Sequence, residues 1–303
     1  KLKTMLPTAK NSNKANATVL DMLTHQARFQ PWIPFYKATL DSLNRPSTHF
    51  YRSEFSDEFP IHVADKLYLR KDYNDTIVKT ILESELLPKK QYKYSDYAFI
   101  LFKEYLEKFH HKSLDKLSDD NFYKMLGANY TSYNPLDKFE LSTIMPSEID
   151  TYYRYDTIQG YVHDMAAAMQ GGIGGHAGLF SNSLDVAKIM QMFLQHGKYG
   201  SKTFFSKSTI DYFNTCYYCE DGNRRGLGFD KPQIDESSPT CGCVPMSSFG
   251  HSGFTGTYVW GDPENQIIYV FLSNRTFPSM NNNKLSDNNI RTEIQRIIYD
   301  SLK

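Results

Sequence analysis

The stretch Ser248-Phe249-Gly250-His251-Ser252-Gly253-Phe254-Thr255-Gly256-Thr257 decides how this chain is read. It runs into two β-branched and aromatic segments, Thr257 to Trp260 and Gln266 to Ser273, separated by Gly261-Asp262-Pro263-Glu264-Asn265, a hairpin pattern. Glycines on an edge strand have a physical use. A backbone without Cβ lets a substrate lie against the strand, and its N–H groups can hold an acyl oxyanion or extend the sheet by one strand. His251 would supply a polar or cationic group there. The competing interpretation is a glycine-rich bulge at a strand start, with His251 capped and solvated.

Outward from this strand, apolar spacing predicts helices over Ala17 to Gln26, Thr76 to Leu87 and Tyr97 to Phe109. It predicts another over Ser183 to His196, with Gly197 as its stop. Leu285 to Leu302 reads as a closing helix on the sheet, with Ile290, Ile294, Ile297 and Ile298 on its apolar face. Residues 41 to 72 mix aromatics with charge and show no period. Helices, then strands, then a last helix imply an α+β fold with a helical lobe.

The chain has 303 residues, 40% of them hydrophobic and 15% aromatic, enough to bury a large core as one elaborate domain or two lobes. Basic and acidic residues balance at 34 each, so no global field selects nucleic acid or an anionic membrane. The longest apolar run, Ile267 to Leu272, falls far short of the ~20 residues of a membrane span. The opening Lys1-Leu2-Lys3-Thr4 has neither an initiator Met nor an export signal, and reads as cut from something longer.

All four cysteines lie close together, as Cys216-x-x-Cys219 and Cys241-x-Cys243. In an exported protein such pairs form local disulfides that pin a loop; unpaired thiols and a four-thiolate zinc site are the alternatives. Cys-x-Cys is tighter than usual zinc spacing, and neither pair sits where a redox-active Cys-x-x-Cys opens a helix.

The glycine strand, with Tyr258-Val259-Trp260-Gly261-Asp262-Pro263-Glu264 and Phe271-Leu272-Ser273-Asn274-Arg275 behind it, resembles the class C β-lactamase and esterase branch of the serine β-lactamases and penicillin-binding proteins. Leu20-Asp21-Met22-Leu23-Thr24-His25-Gln26-Ala27, Gly160-Tyr161-Val162-His163-Asp164 and the Gly-rich 171–181 segment extend the resemblance along the chain. Asn223 to Pro232 and Asn289 to Gln295 more narrowly resemble β-lactamase-like domains that Bacteroidetes fuse behind a family 3 glycoside hydrolase.

The resemblance implies a β-lactamase/transpeptidase-like α+β fold, an antiparallel sheet flanked by helices plus a helical lobe, with its N-terminal part missing. One domain would fill 1–303, its helical lobe mainly at 17–215 and its sheet and closing helix at 225–303. The family uses three elements: Ser-x-x-Lys on a helix, a Tyr-x-Asn triplet, and a Lys-Thr-Gly type strand on which His often replaces Lys. Tyr94-Ser95-Asp96 falls at the second, making Tyr94 the proton carrier. Asp96 departs from Asn, and an ionised carboxylate accepts but cannot donate a hydrogen bond. In isolation the triplet also reads as a helix cap.

At the third element, His251 would polarise the substrate or hold its carboxylate. Ser252 and Gly253 would line the strand, and the Phe254 N–H would join the oxyanion hole. The first element is expected upstream of Lys1; the literal match Ser113-Leu114-Asp115-Lys116 lies in a charged run and reads as chance. Two functions follow. One is acyl transfer on D-alanyl peptides of the cell wall or on small esters and amides, with this stretch inert by itself. The other is a non-catalytic domain that binds peptidoglycan or supports a fused glycosidase. Either implies an exported bacterial protein, periplasmic or associated with the outer membrane, with no cofactor, no metal, no nucleic acid partner and no membrane span. His163, Asp164 and His176 stand near glycine turns, either lining a cleft or serving the fold. Trp32, Phe35 and Tyr36 form either a cleft wall or the anchor of their own loop.

Overall fold

The computed structural model of the chain describes residues 1–233 and 239–302. Its architecture is α+β with antiparallel sheets, a β-lactamase/transpeptidase-like fold. Two compact units emerge, Lys1–Ser118 with Ser132–Phe180, and Asp119–Thr131 with Ser181–Lys303. This partition differs from a division near residues 215 to 225, because the long helix after Ser181 packs with the second unit.

In the first unit, α1 (Val19–Leu23) starts where Thr18 Oγ1 accepts from Asp21 N at 3.0 Å. It is shorter than expected, because His25 turns the chain into the left-handed region at φ 55°. The unpatterned 41–72 region contains β1 (Tyr51–Arg52), β2 (Ile61–Ala64) and β3 (Leu67–Leu69), an antiparallel sheet in the order β1-β3-β2. Strands this short carry no readable alternation.

Next, α2 (Tyr73–Glu83) places Ile77 and Ile81 fully in the core, about 1.5–3 kcal/mol of transfer free energy each. It stops at Ser84, which is extended, rather than running to Leu87. α3 (Tyr97–His110) follows the expected span and buries Tyr97, Ala98, Ile100 and Leu101 in the same core. β4 (Pro146–Ile149) pairs with β5 (Thr157–Gln159), and the short α4 (Met165–Ala168) is capped by Asp164. Phe35 and Tyr36 enter the core while Trp32 stays exposed, so the aromatic segment anchors its own loop.

In the second unit, α5 (Ser183–Leu194) is capped by Asn182 Oδ1, which accepts from Asp185 N at 2.9 Å. Gly197, at φ 85°, stops it; a Cβ there would lie 2.4 Å from the Phe205 carbonyl oxygen. α6 (Lys207–Asn214) follows. The hairpin expectation holds: β6 (Phe249–Ser252), β7 (Tyr258–Asp262) and β8 (Ile267–Phe271) form an antiparallel sheet in the order β8-β7-β6. Tyr258, Trp260 and Tyr269 pack together on it with Val244 and Ile298.

The closing segment breaks at Asn289, which is left-handed, so the main helix is α7 (Ile290–Asp300). Its buried positions are Thr292, Gln295 and Tyr299. Ile290, Ile294 and Ile297 are exposed, Ile297 at 70%, and only Ile298 of the expected apolar face packs on the sheet. The reason is polar. Tyr299 Oη donates to Asp262 at 2.5 Å and Gln295 Oε1 accepts from Cys241 N at 2.9 Å, which rotates the helix toward these partners.

The cysteines form two local disulfides, Cys216–Cys219 and Cys241–Cys243, in place of the free-thiol and zinc alternatives. Among the described residues no helix is long and apolar enough to cross a membrane.

Candidate active site

Tyr94, Ser95 and Asp96 lead directly into α3, and Ser95 fixes the turn. Its backbone N–H donates to His25 Nδ1 at 3.2 Å, its hydroxyl donates to the Gln30 carbonyl at 2.7 Å, and that same oxygen accepts from Tyr97 N at 3.3 Å. The buried serine thus satisfies part of the helix start. Asp96 occupies the N-cap position yet makes no side-chain cap bond. Its carboxylate accepts a hydrogen bond from the Tyr94 side chain and interacts with His176 and Asp164. Burial and the Asp164 charge push its pKa above the usual carboxylate range, against His176 and Tyr94, which favour ionisation. Tyr94 is 40% exposed, its ring 4.5 Å from that of His25. The helix-cap reading therefore holds for Ser95 and fails for Asp96.

Two further histidines of the first unit separate. His163 Nε2 pairs with buried Glu148 at 3.0 Å, and Tyr152 donates to the same carboxylate at 2.9 Å. Arg154 Nη1 and Nη2 donate to the Val162 and His163 carbonyls at 2.6 and 2.7 Å, so this network serves the fold. His176 instead pairs with Asp164, Nε2 to Oδ1 at 2.8 Å, on the unit that carries the Tyr94 triplet.

In the second unit, β6 is the edge of its sheet. Gly250 is obligatory there, because a Cβ would lie 2.1 Å from the Val259 carbonyl oxygen and 2.4 Å from Trp260 Cε3. After the strand, Gly253 N donates to the Thr257 carbonyl at 2.8 Å, and Gly256 adopts φ 104° to close the turn. Phe254 is exposed at the tip, with the Arg275 guanidinium 4.7 Å from its ring centre. Asp230 bridges the start of the strand, exchanging backbone hydrogen bonds with Gly250 at 2.8 and 3.1 Å.

That bridge brings in a charge cluster the sequence reading missed. Arg225 and Arg224 both pair with Asp230, Arg224 at 3.0 Å. Arg225 also reaches His251 Nε2 through Nη1 and Nη2 at 3.2 and 3.3 Å, while His251 Nδ1 lies 2.7 Å from the Ser252 carbonyl. A guanidinium only donates and a carbonyl only accepts, so His251 is the neutral tautomer with its proton on Nδ1. Burial depresses its pKa and the arginines add to that, against Asp230. His251 is therefore not the cation of the strand. Arg224, Arg225 and Asp230 thus place a charge cluster beside β6. The signal for them was present in Asn223-Arg224-Arg225-Gly226, but sequence spacing gave no sign that they would meet His251.

The literal Ser-x-x-Lys offers no nucleophile. Ser113 is exposed, and Lys116 extends into solvent with its nearest acid, Asp115, at 3.9 Å. Among the described residues no three His, Cys, Asp or Glu side chains cluster as metal ligands.

The Tyr94 triplet leads a helix as the family's second element does, with Asp96 in place of Asn, and the glycine strand corresponds to its third. The family model described as Beta-lactamase matches residues 1–291, and the chain belongs to that family. A Salmonella gallinarum protein described as "Putative D-alanyl-D-alanine carboxypeptidase" is 33% identical over 242 residues, covering 75% of this chain and 55% of the relative. The chain spans about half the length of the curated relatives it matches. Among solved structures, a penicillin-binding protein from Bacillus halodurans aligns with TM-score 0.58 at 14% identity, over 90% of this chain and 72% of that one. A D-stereospecific amidohydrolase from Streptomyces sp. aligns with TM-score 0.57 at 15% identity, over 88% and 71%. These likenesses establish the β-lactamase/transpeptidase-like fold of the family to which the chain belongs.

Proposed function

We propose that this chain is the larger part of an acyl-transfer site for D-alanyl peptides or related amides and esters, completed by a Ser-x-x-Lys segment of a longer protein. The observation that carries the reading is β6 and the glycine turn that follows it, with Gly253 and Gly256, beside the cluster of Arg224, Arg225 and Asp230. In this reading Tyr94 relays the proton between nucleophile and leaving group. The Phe254 N–H and the nucleophile's own N–H form the oxyanion hole. Ser252 and Gly253 line the strand, and Arg224 and Arg225, with His251 as a neutral hydrogen-bonding partner, attract the substrate carboxylate.

The same proposal makes the protein exported, periplasmic or outer-membrane-associated, since two disulfides fit an oxidising compartment. A family 3 glycosidase fused ahead of this domain is its proposed covalent partner. The test is to label the longer protein with a fluorescent penicillin or an activated ester. Capture that survives denaturation and is lost on Tyr94→Phe supports the reading. An intact Ser-x-x-Lys with no capture by either probe and no peptide hydrolysis contradicts it.

A further inference from the structure

We infer that His176 is a positioning residue for the Tyr94–Asp96 triplet, supplying the positive charge that an aspartate requires at a position where the family pattern has asparagine. The inference rests on the reading of that triplet as part of the active site.

The placement begins with glycine. In the segment Gly171 to Ser181, Gly175 packs directly on α3; a Cβ there would lie 2.2 Å from the Phe99 carbonyl oxygen and 3.3 Å from Lys103 Cβ. Gly174 is equally constrained, its Cβ position falling 2.7 Å from the Ala177 carbonyl oxygen. Gly175 lays the segment against the helix that Asp96 begins, and Gly174 brings it close to Ala167 of α4, whose Cβ lies 2.8 Å from the Gly174 Cβ position. His176 follows, its side chain only 2% exposed.

His176 Nε2 bonds Asp164 Oδ1 at 2.8 Å, and Asp164 is held in turn as the cap of α4, accepting from Ala167 N at 2.7 Å. His176 Nδ1 is buried with no hydrogen-bond partner, so the ring is fixed from one side only. The ring also interacts electrostatically with Asp96, which has no cap bond to make.

The groups facing His176 are thus Asp164 from the cap of α4, Asp96 from the start of α3, and Lys103 from the body of α3. Lys103 is itself engaged by Glu107 at 3.2 Å, and Glu104 by Lys108 at 2.6 Å, which mutes their influence. His163 acts on Asp164 from the preceding residue. Burial pulls the His176 pKa down, but Asp164 and Asp96 outweigh it and hold the ring toward its charged form. An imidazolium there favours the ionised form of Asp96, which accepts the Tyr94 hydrogen bond. An asparagine would accept the same bond through its amide oxygen with no counter-charge.

NMR titration of the imidazole resonances of this chain tests the coupling directly, with His176→Gln used to assign the signals. The His176 midpoint is expected above the ordinary ~6.5, and Asp96→Asn should lower it by about 0.5 or more while leaving the His163 signal in place. Asp96→Asn preserves size and removes only charge, so the test stands even where Asp164→Asn fails to fold. A His176 midpoint at or below the ordinary value, or one that Asp96→Asn leaves unmoved, overturns the inference. The pH profile of acylation in the longer protein separates this from the site reading. His176→Gln should shift the acid limb rather than scale the whole profile. If the NMR coupling is present but Tyr94→Phe leaves acylation intact, the site reading fails and the His176–Asp96 coupling stands.

Discussion

Removing the charge of Asp230 should destabilise the second unit. Asp230 is 5% exposed at its side chain and Arg225 is 1% exposed, so Asp230→Asn leaves a buried guanidinium facing an amide. Breaking a buried pair from one side costs about 3–5 kcal/mol. Arg224 is 25% exposed and can turn to water, so the loss should not exceed that range. With a urea m-value of about 3 kcal/mol/M, the unfolding midpoint should fall by about 1–1.7 M at pH 7.

The cost depends on pH with a definite sign. Burial acts against ionisation of Asp230, but Arg225, His251 and Arg224 prevail and hold its carboxyl below the usual range. The stabilisation is therefore complete above the unfolded carboxyl value of about 3.9 and disappears as pH falls through the lower folded value. Wild type and Asp230→Asn should differ fully at pH 7 and converge in strong acid. Losing Asp230 also removes what favours protonation of His251, so the His251 signal should titrate at still lower pH. A midpoint change below about 0.3 M at pH 7, or a difference that persists undiminished in acid, would refute the assignment of Asp230 as the anchor of this cluster.

Three other outcomes follow from the same structure. Lys231 is buried with its ammonium on Asn214 Oδ1 and the Ser247 and Ser248 carbonyls, and burial pulls its pKa down to about 7. The unfolded chain then holds more protons between that value and the ordinary ~10.4, so stability should rise with pH across this window. Lys231→Met should flatten the rise in a pH series of urea titrations. Gly250→Ala should destabilise by about 1–3 kcal/mol or more, because the intruding Cβ meets backbone and indole rather than a flexible chain end. Reducing the two disulfides should cost no more than about 2 kcal/mol each, since each closes a loop of only a few residues; a larger drop in thermal midpoint under reductant would contradict that.

The parts of the fold legible in the sequence are those where a local constraint has one solution. Gly250 and Gly197 were readable as glycines with a task, and each proves to sit where a Cβ would strike a carbonyl. Tyr97 to Phe109 was readable because its apolar stripe is long, and the observed helix runs one residue further, to His110, before the left-handed His111 ends it. The α7 helix marks the limit. Periodicity tells which residues share a face, and polar partners decided which face turned inward, leaving Ile290, Ile294 and Ile297 outside. Tyr94 and His251 were picked out by motif, but the groups that touch them were not. Arg225 lies 26 positions from His251 and His176 lies 12 from Asp164, and such pairings are set by tertiary contacts.

The central claim concerns a covalent acyl intermediate, so intact mass is its most direct test. The longer protein, incubated with a penicillin or a D-alanyl-D-alanine peptide ester, should gain one acyl group on the serine of its Ser-x-x-Lys, and Tyr94→Phe should slow that gain by about 10²–10⁴-fold. An unmodified mass with that serine intact and the protein folded, or an adduct that forms equally fast without the Tyr94 hydroxyl, would contradict the account.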